Sequence, residues 1–382
     1  MTTGRISLRN FKCFEALDLP CAPLTLLTGR NAGGKSTALQ ALLLLVQGLR
    51  EAPNNNLLPL NGALVSLGTG GDVVYHSASA QKLCLGVSNS AEQAIWDFRV
   101  DKGLSMRGLM TLADIEYSRD GNSVGISNHQ MLPSEMETSD LIYSLRDTTF
   151  ISAGREMQLE SYPVPQSPAH MRGDVGCSGE YAPYWYLEFA DEAVMPKRRH
   201  PKDQRETVRA QVDAWFSEFF PGARANAERL SADAPIRLSF SLGQASPWSK
   251  PANVGYGLSY AFPMLVTLLT AKAGSTVVID SAESHLHPKA QSAVGYFIAK
   301  VAGSGLQILV ESHSDHLLNG VRLAVRDGLL EPNDAAIHFF EHPSQGLSVT
   351  TVSVDGNGAI SDWPEGFFDQ TERDLATLSG WC

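Results

Sequence analysis

The chain lacks the features that would make it a membrane, secreted or fibrous protein. Its longest apolar run, Ala41 to Val46, is too short to span a bilayer. Arg5, Arg9 and Lys12 interrupt the N-terminus where a signal peptide needs an apolar segment. A cytoplasmic location without membrane contact is the expectation. Cysteines are few and scattered, at 13, 21, 84, 177 and 382, with no C-x-x-C and no histidine at zinc spacing. Reduced thiols, rather than disulfides or a zinc site, follow. Basic charge is also in short supply. Thirty Lys and Arg against 41 Asp and Glu leave a net charge of −11, which argues against a surface that coats nucleic acid nonspecifically. The one local basic stretch, Lys197-Arg198-Arg199-His200-Pro201-Lys202 with Arg205 and Arg209, reads either as a solvated loop leading into a helix or as a contact for nucleic acid or an acidic partner. Heptads, internal repeats and low-complexity tracts are absent.

What remains is ordinary globular material: 382 residues, 43% hydrophobic and 19% charged, enough for a large core in one to three domains. Its most informative stretch is Gly29-Arg30-Asn31-Ala32-Gly33-Gly34-Lys35-Ser36-Thr37, which fits G-x-x-x-x-G-K-[ST] at every fixed position. The strand-like run Leu24–Thr28 precedes it and a helical run, Ala38 to Gln47, follows, as the motif requires. Glycines allow the backbone N–H groups of residues 31–37 to turn onto phosphates, and the helix N-terminus adds partial positive charge. Lys35 can reach the β- and γ-phosphates, and the Ser36 hydroxyl can ligate Mg²⁺. ATP or GTP is the expected ligand.

Elsewhere the pattern predicts an α/β protein whose nucleotide fold is split. Residues 1–59 carry three strands and the phosphate loop. Residues 60–235 read as a β-rich and helical insertion, with short alternating runs at Lys82–Val87, Ile95–Val100 and Ile115–Tyr117. A helix is predicted over Gln204–Phe220, where Val208, Val212, Trp215, Phe216 and Phe219 recur at helical spacing, a stripe read as core rather than as a base-stacking platform. Residues 236–382 return to alternating strands and helices. Thr276-Val277-Val278-Ile279-Asp280 is an apolar strand ending in an acid that could hold Mg²⁺. Glu283-Ser284-His285-Leu286-His287-Pro288 follows it, and a strand over Leu306–Glu311 ends in Ser312-His313-Ser314.

In that order, these segments resemble the ABC-type ATPases of the SMC/RecF/OLD class, within the broad AAA ATPase group of prokaryotic defence and repair proteins. The resemblance runs nearly end to end. Ile6-Ser7-Leu8-Arg9-Asn10-Phe11-Lys12 is similar to the group's "NFK" start, and Leu26 to Thr37 to its "LxGxNxxGKST". Asn253-Val254-Gly255-Tyr256-Gly257-Leu258-Ser259 resembles the lead-in to the signature helix in the subfamily that pairs with nucleases, as the Septu ATPase does. Asp280 to Pro288 is similar to "ExPExHLHP", with Asp for the first Glu and Ala282 for the Pro, and Glu311 to Ser314 to "ETHS". Asp362 to Asp369 resembles a C-terminal motif of the same subfamily.

The resemblance implies an ABC-type ATPase head with a mixed sheet and no coiled coil. Asp280 would take the Walker B role, and His313 would hydrogen-bond the γ-phosphate. Ser281 stands where many relatives carry the general base, so Glu283 is the alternative base, and slow hydrolysis or use of ATP as a latch stays open. His285 and His287 lack a third ligand nearby and read as structural residues at a dimer interface. Two ATP molecules would be sandwiched in a head-to-tail dimer, with one of Asn253, Gly255, Gly257 or Ser259 facing the partner's γ-phosphate. The functional expectation is a nucleotide-driven sensor or clamp for a separate effector, a nuclease of anti-phage defence. The alternative is a RecF-like DNA-repair ATPase, and DNA or RNA binding stays open. No nuclease-like acidic cluster occurs after His313.

Overall fold

The computed structural model describes residues 2–379, apart from 79–80, 156, 166–172, 230, 232–233, 244, 342–346, 362–363 and 365–366. The C-terminal motif Asp362–Asp369 and Cys382 therefore lie partly or wholly outside the described residues.

Two sheets organise the fold. The first is antiparallel and consists of β1 (Arg5–Phe11), β2 (Phe14–Pro20), β4 (Leu57–Pro59), β5 (Lys82–Ser88), β6 (Glu92–Arg99), β7 (Leu109–Arg119) and β8 (Asn122–Val124), in the order β2-β1-β5-β6-β7-β4 with β8 on β7. The second contains β3 (Leu24–Gly29), β9 (Thr148–Ile151), β12 (Thr276–Ile279), β13 (Gln307–Glu311), β14 (Ala335–Glu341) and β15 (Ser348–Val352), ordered β15-β14-β3-β13-β12-β9. Its four pairings from β14 to β9 are parallel, and β15 closes the edge antiparallel. A hairpin of β10 (Arg224–Arg229) and β11 (Ile236–Ser241) stands apart.

The short parallel strands are apolar on both faces because both are covered. Leu24, Leu26, Val277, Ile279, Ile308 and Val310 point into one core with the helices Tyr256–Thr270, Pro288–Ala302 and Asp315–Arg326. Leu27, Val278 and Leu309 point into the other, against the helix Lys35–Glu51 and the antiparallel sheet. Lys35–Glu51 lies between the two sheets, which is why Leu42 to Leu49 are buried all round it rather than along one stripe. Among the described residues no helix is long and apolar enough to cross a membrane.

Sheet pairing crosses both proposed domain boundaries. The strands of 82–124 extend β1 and β2 instead of forming a sheet of their own, and β9 joins the parallel sheet beside β12. Residues 60–235 thus share both sheets with the segments that flank them. Unpaired edges of β1 and β12 would leave ladder groups unsatisfied, and these segments supply the missing partners. The aromatic stripe is core: Trp215, Phe216 and Phe219 are buried on the helix Val208–Phe219. The basic stretch is spent inside the chain. Arg198 is buried and donates to Leu268 O, Ala271 O and Ser304 Oγ at the C-terminal ends of two helices, whose dipoles favour a cation. Arg199 pairs with Glu206, Lys202 with Glu218 and Arg205 with Asp203.

Candidate functional site

The phosphate loop leaves the central strand β3 at Gly29, whose φ of 127° and position against Phe340 admit no side chain: a Cβ would stand 2.1 Å from Phe340 O. Ala32 (φ 62°) and Gly34 (φ 96°) complete the turn. Gly34 caps the helix Lys35–Glu51 without a side-chain hydrogen bond, and the first turn holds no acidic residue. The leading N–H groups of a 17-residue helix are therefore left for an anion.

Beneath this helix end, the strand tips bring the sequence-predicted residues together. Lys35 is buried; its Nζ donates to Gly29 O (3.1 Å) and Arg30 O (2.9 Å) and lies 4.0 Å from Glu311 Oε1. Burial lowers its pKa, opposed mainly by the charge of Glu311. Ser36 Oγ donates to Glu311 Oε1 at 3.1 Å. Asp280 follows β12 and Glu311 ends β13, side by side because Ile279 pairs with Val310. Ser281, in the left-handed region at φ 53°, donates through Oγ to Asp280 Oδ1 at 2.8 Å. Glu283 Oε1 accepts the His313 backbone N–H at 2.7 Å, and His313 Nε2 stands 4.0 Å from Glu311 Oε1. Burial lowers the His313 pKa, and the Lys35 charge adds to this, so its imidazole is neutral near pH 7.

Two cavities meet at Ser36. One of about 360 Å³ is lined by Asn31 to Thr37 with Glu311 and His313, and one of about 180 Å³ by Ser36, Gln40, Phe150 and Asp280. The donor set suits a nucleotide with a hard divalent cation: an uncapped helix end, a lysine, a hydroxyl and two adjacent carboxylates. Glu311 Oε2 and Glu283 Oε2 are buried without a hydrogen-bond partner among the described residues, as groups awaiting a ligand would be.

The signature segment is separate. Asn253 and Gly255 are exposed at the start of the helix Tyr256–Thr270, and a Cβ on Gly255 would meet nothing within 4 Å. Gly257 and Ser259 are buried, and a Cβ on Gly257 would stand 2.8 Å from His285 O. None of the four lines the phosphate-loop cavity. His285 stacks on Tyr256, and His287 caps the helix Pro288–Ala302 by accepting from Lys289 N–H, so the two have structural partners of different kinds.

Three residues here escaped sequence reasoning. Glu311 was read only as part of a motif; its position at a strand end one step from a Ser-His pair was the available signal. Lys12, in the β1–β2 turn at φ 51°, lines the phosphate-loop cavity and donates to Gln40 Oε1 at 2.7 Å. Arg155 gave no signal. It is buried among carbonyls behind Asp280.

Comparisons with known proteins bear on the fold and on family likeness. A family described as "AAA domain" matches residues 5–105, and one described as "AAA domain, putative AbiEii toxin, Type IV TA system" matches 195–319. A family described as "Protein of unknown function (DUF3696)" matches 330–378. The OLD nuclease of Thermus scotoductus (strain ATCC 700910 / SA-01) is 47% identical over 38 residues, which are 10% of this chain and 7% of that protein. Among solved structures, an SMC head bound to the C-terminal winged-helix domain of ScpA superimposes with a TM-score of 0.54 at 12% identity, covering 92% of this chain and 98% of that one. An SMC head with an extended coiled coil, bound to the C-terminal domain of ScpA derived from Pyrococcus furiosus, gives 0.54 at 11% identity, covering 99% of each chain. At such identities the likeness is one of fold. The chain thus has the fold of an SMC head, and with AAA-domain families matching residues 5–105 and 195–319 it is similar to the ATPase heads of the SMC/RecF/OLD-like ABC class.

Proposed function

We propose that the chain binds and hydrolyses ATP with Mg²⁺, and that nucleotide state sets the pairing of two heads and so controls a separate effector. The observation that carries this reading is the convergence of Lys35, Ser36, Asp280, Glu283, Glu311 and His313 at adjacent strand ends under an uncapped helix. Lys35 and the N–H groups of 31–37 hold the β- and γ-phosphates. Ser36 and Asp280, joined by Glu311, hold the cation. Bound Mg²⁺ neutralises charge developing on the phosphate oxygens. Glu283, oriented through Oε1 by the His313 N–H, has Oε2 free to take a proton from water, and His313 contacts the γ-phosphate.

Asn253 and Gly255, exposed on an uncapped helix, are the signature residues able to meet a partner's phosphate; Gly257 and Ser259 shape the helix from inside. The effector reading, a nuclease in anti-phage defence, draws on the short likeness to an OLD nuclease and on the toxin–antitoxin description of one matched family. The alternative, a RecF-like DNA ATPase, loses support because Arg198, Arg199, Lys202 and Arg205 of the basic stretch are engaged by partners within the chain. Phosphate release by the wild type, lost in Lys35→Ala, tests the activity. Co-purification with the product of the adjacent gene, weakened or strengthened by ATP, tests the control; nucleotide-independent association contradicts it.

A further inference from the structure

The signature helix and the hydrolytic turn of one subunit are joined through a buried arginine. Arg155 is 2% exposed, and its guanidinium donates to carbonyls of three segments. Nε bonds Ser152 O (2.9 Å) just after β9, Nη1 bonds Tyr260 O (3.2 Å) in the signature helix, and Nη2 bonds Asp280 O (2.6 Å) and Ser281 O (3.2 Å). Its charge also lies over the Tyr260 ring, 5.6 Å from the centroid. Among the described residues no carboxylate comes within ion-pair distance of it. The Asp280 and Glu283 charges act on it only from beyond contact, so its burial is costly, and an apolar side chain could fill the space. A planar fork that holds several carbonyls at fixed angles explains the choice. The peptide it grips is Asp280–Ser281, with Ser281 at φ 53°, a conformation that needs outside support. A second link runs beside it: the His285 ring lies 4.5 Å from Tyr260 and 5.4 Å from the exposed Tyr256.

We propose that Arg155 is a positioning residue that transmits occupancy of the signature helix start to the Asp280–Glu283 turn of the same subunit. This rests on the head-to-tail pairing proposed above. In such a pair the signature helix faces the nucleotide held by the partner, whereas Asp280 and Glu283 serve the subunit's own. Arg155 therefore links the two nucleotide sites, so binding at one aligns the acid and base at the other. None of its hydrogen bonds goes to residues 29–37, and nucleotide binding itself does not depend on it.

The test measures ATP hydrolysis against ATP concentration, with affinity for a fluorescent ATP analogue measured in parallel, for the wild type, Arg155→Lys and Arg155→Met. The lysine keeps the charge and loses the fork; it carries the test if Arg155→Met, which strips four carbonyls of their donor, does not fold. The wild type is expected to be cooperative, with a Hill coefficient above about 1.3 and bounded by two sites. Arg155→Lys is expected to bind the analogue within about twofold of wild type, to turn over about 10- to 100-fold more slowly, as misplaced catalytic groups do, and to show a Hill coefficient near about 1. Wild-type turnover and cooperativity in Arg155→Lys overturn the proposal. So does a loss of affinity matching the loss of rate, which assigns the residue to folding alone. A wild type that binds ATP but neither pairs nor shows cooperativity overturns the dimer reading and this proposal with it, a failure visible before any variant is made.

Discussion

Replacing Glu311 by glutamine should stabilise the nucleotide-free protein while impairing its function. Burial, with the neighbouring Asp280 charge, raises the Glu311 pKa from the ordinary 4.5 to about 7, against smaller opposing effects of Ser36 and Lys35. An acid whose folded pKa is raised binds more protons folded than unfolded between these values. Stability therefore falls as pH rises through that window: the cost is absent below about 4.5 and complete above about 7. A shift of this size corresponds to about 3.5 kcal/mol at most, since each pKa unit is about 1.4 kcal/mol. Partial relaxation and the Ser36 hydrogen bond, which the amide oxygen can still accept, reduce the expected gain to about 1–2 kcal/mol. The assay is urea unfolding of wild type and Glu311→Gln at pH 5 and pH 8, with chelator and without nucleotide. The variant should have the higher midpoint at pH 8 and nearly the wild-type midpoint at pH 5. With Mg²⁺ and ATP the order should reverse, because the charge that costs stability in the empty site is the one that holds the cation. A variant destabilised equally at both pH values would refute the reasoning and make Glu311 an ordinary structural acid.

Lys35→Ala should lose nucleotide binding, read by a fluorescent analogue, with its thermal midpoint within a few degrees of wild type, since the lysine serves the ligand and bonds only loop carbonyls. Glu283→Gln should slow phosphate release about 10²- to 10⁴-fold while binding ATP normally, as expected for loss of a general base; unchanged turnover moves that role elsewhere. Gly29→Ala should fail to accumulate as soluble protein, because a Cβ 2.1 Å from Phe340 O at a φ of 127° costs about 4 kcal/mol or more. Mixing Lys35→Ala with Gly255→Glu subunits should restore part of the hydrolysis that each lacks alone. Gly255 suits this test and Gly257 does not, since any side chain at Gly257 strikes His285 O within its own subunit.

The phosphate loop, the Asp280 strand and the His313 turn were legible because their chemistry is local: each is a strand ending in residues of defined type. Helix positions were legible too, with Pro288–Ala302 and Asp315–Arg326 set by Pro288 at the helix start and a Ser314 cap. What escaped was long-range. Thr148–Ile151 is four residues in a stretch rich in loops, and nothing near it in sequence shows that it pairs with Thr276–Ile279. The strands after Leu60 alternate as any antiparallel sheet does, so the pattern could not tell that they pair with β1. Arg198 read as part of a solvated or partner-binding basic stretch and Arg155 gave no signal, because their partners are backbone carbonyls, which carry no sequence signature. Glu311 closes an apolar strand, and its meaning was fixed only by Asp280 beside it at the end of the next strand.

The central claim is that ATP turns the exposed Asn253–Gly255 face of one subunit onto the phosphate loop of another. Light scattering of Glu283→Gln at micromolar concentration, with and without ATP and Mg²⁺, tests it directly. The account predicts a mass that doubles with ATP and Mg²⁺, and stays at the monomer value when Gly255→Glu is added to the same chain. A protein that binds ATP yet remains monomeric at saturation contradicts it.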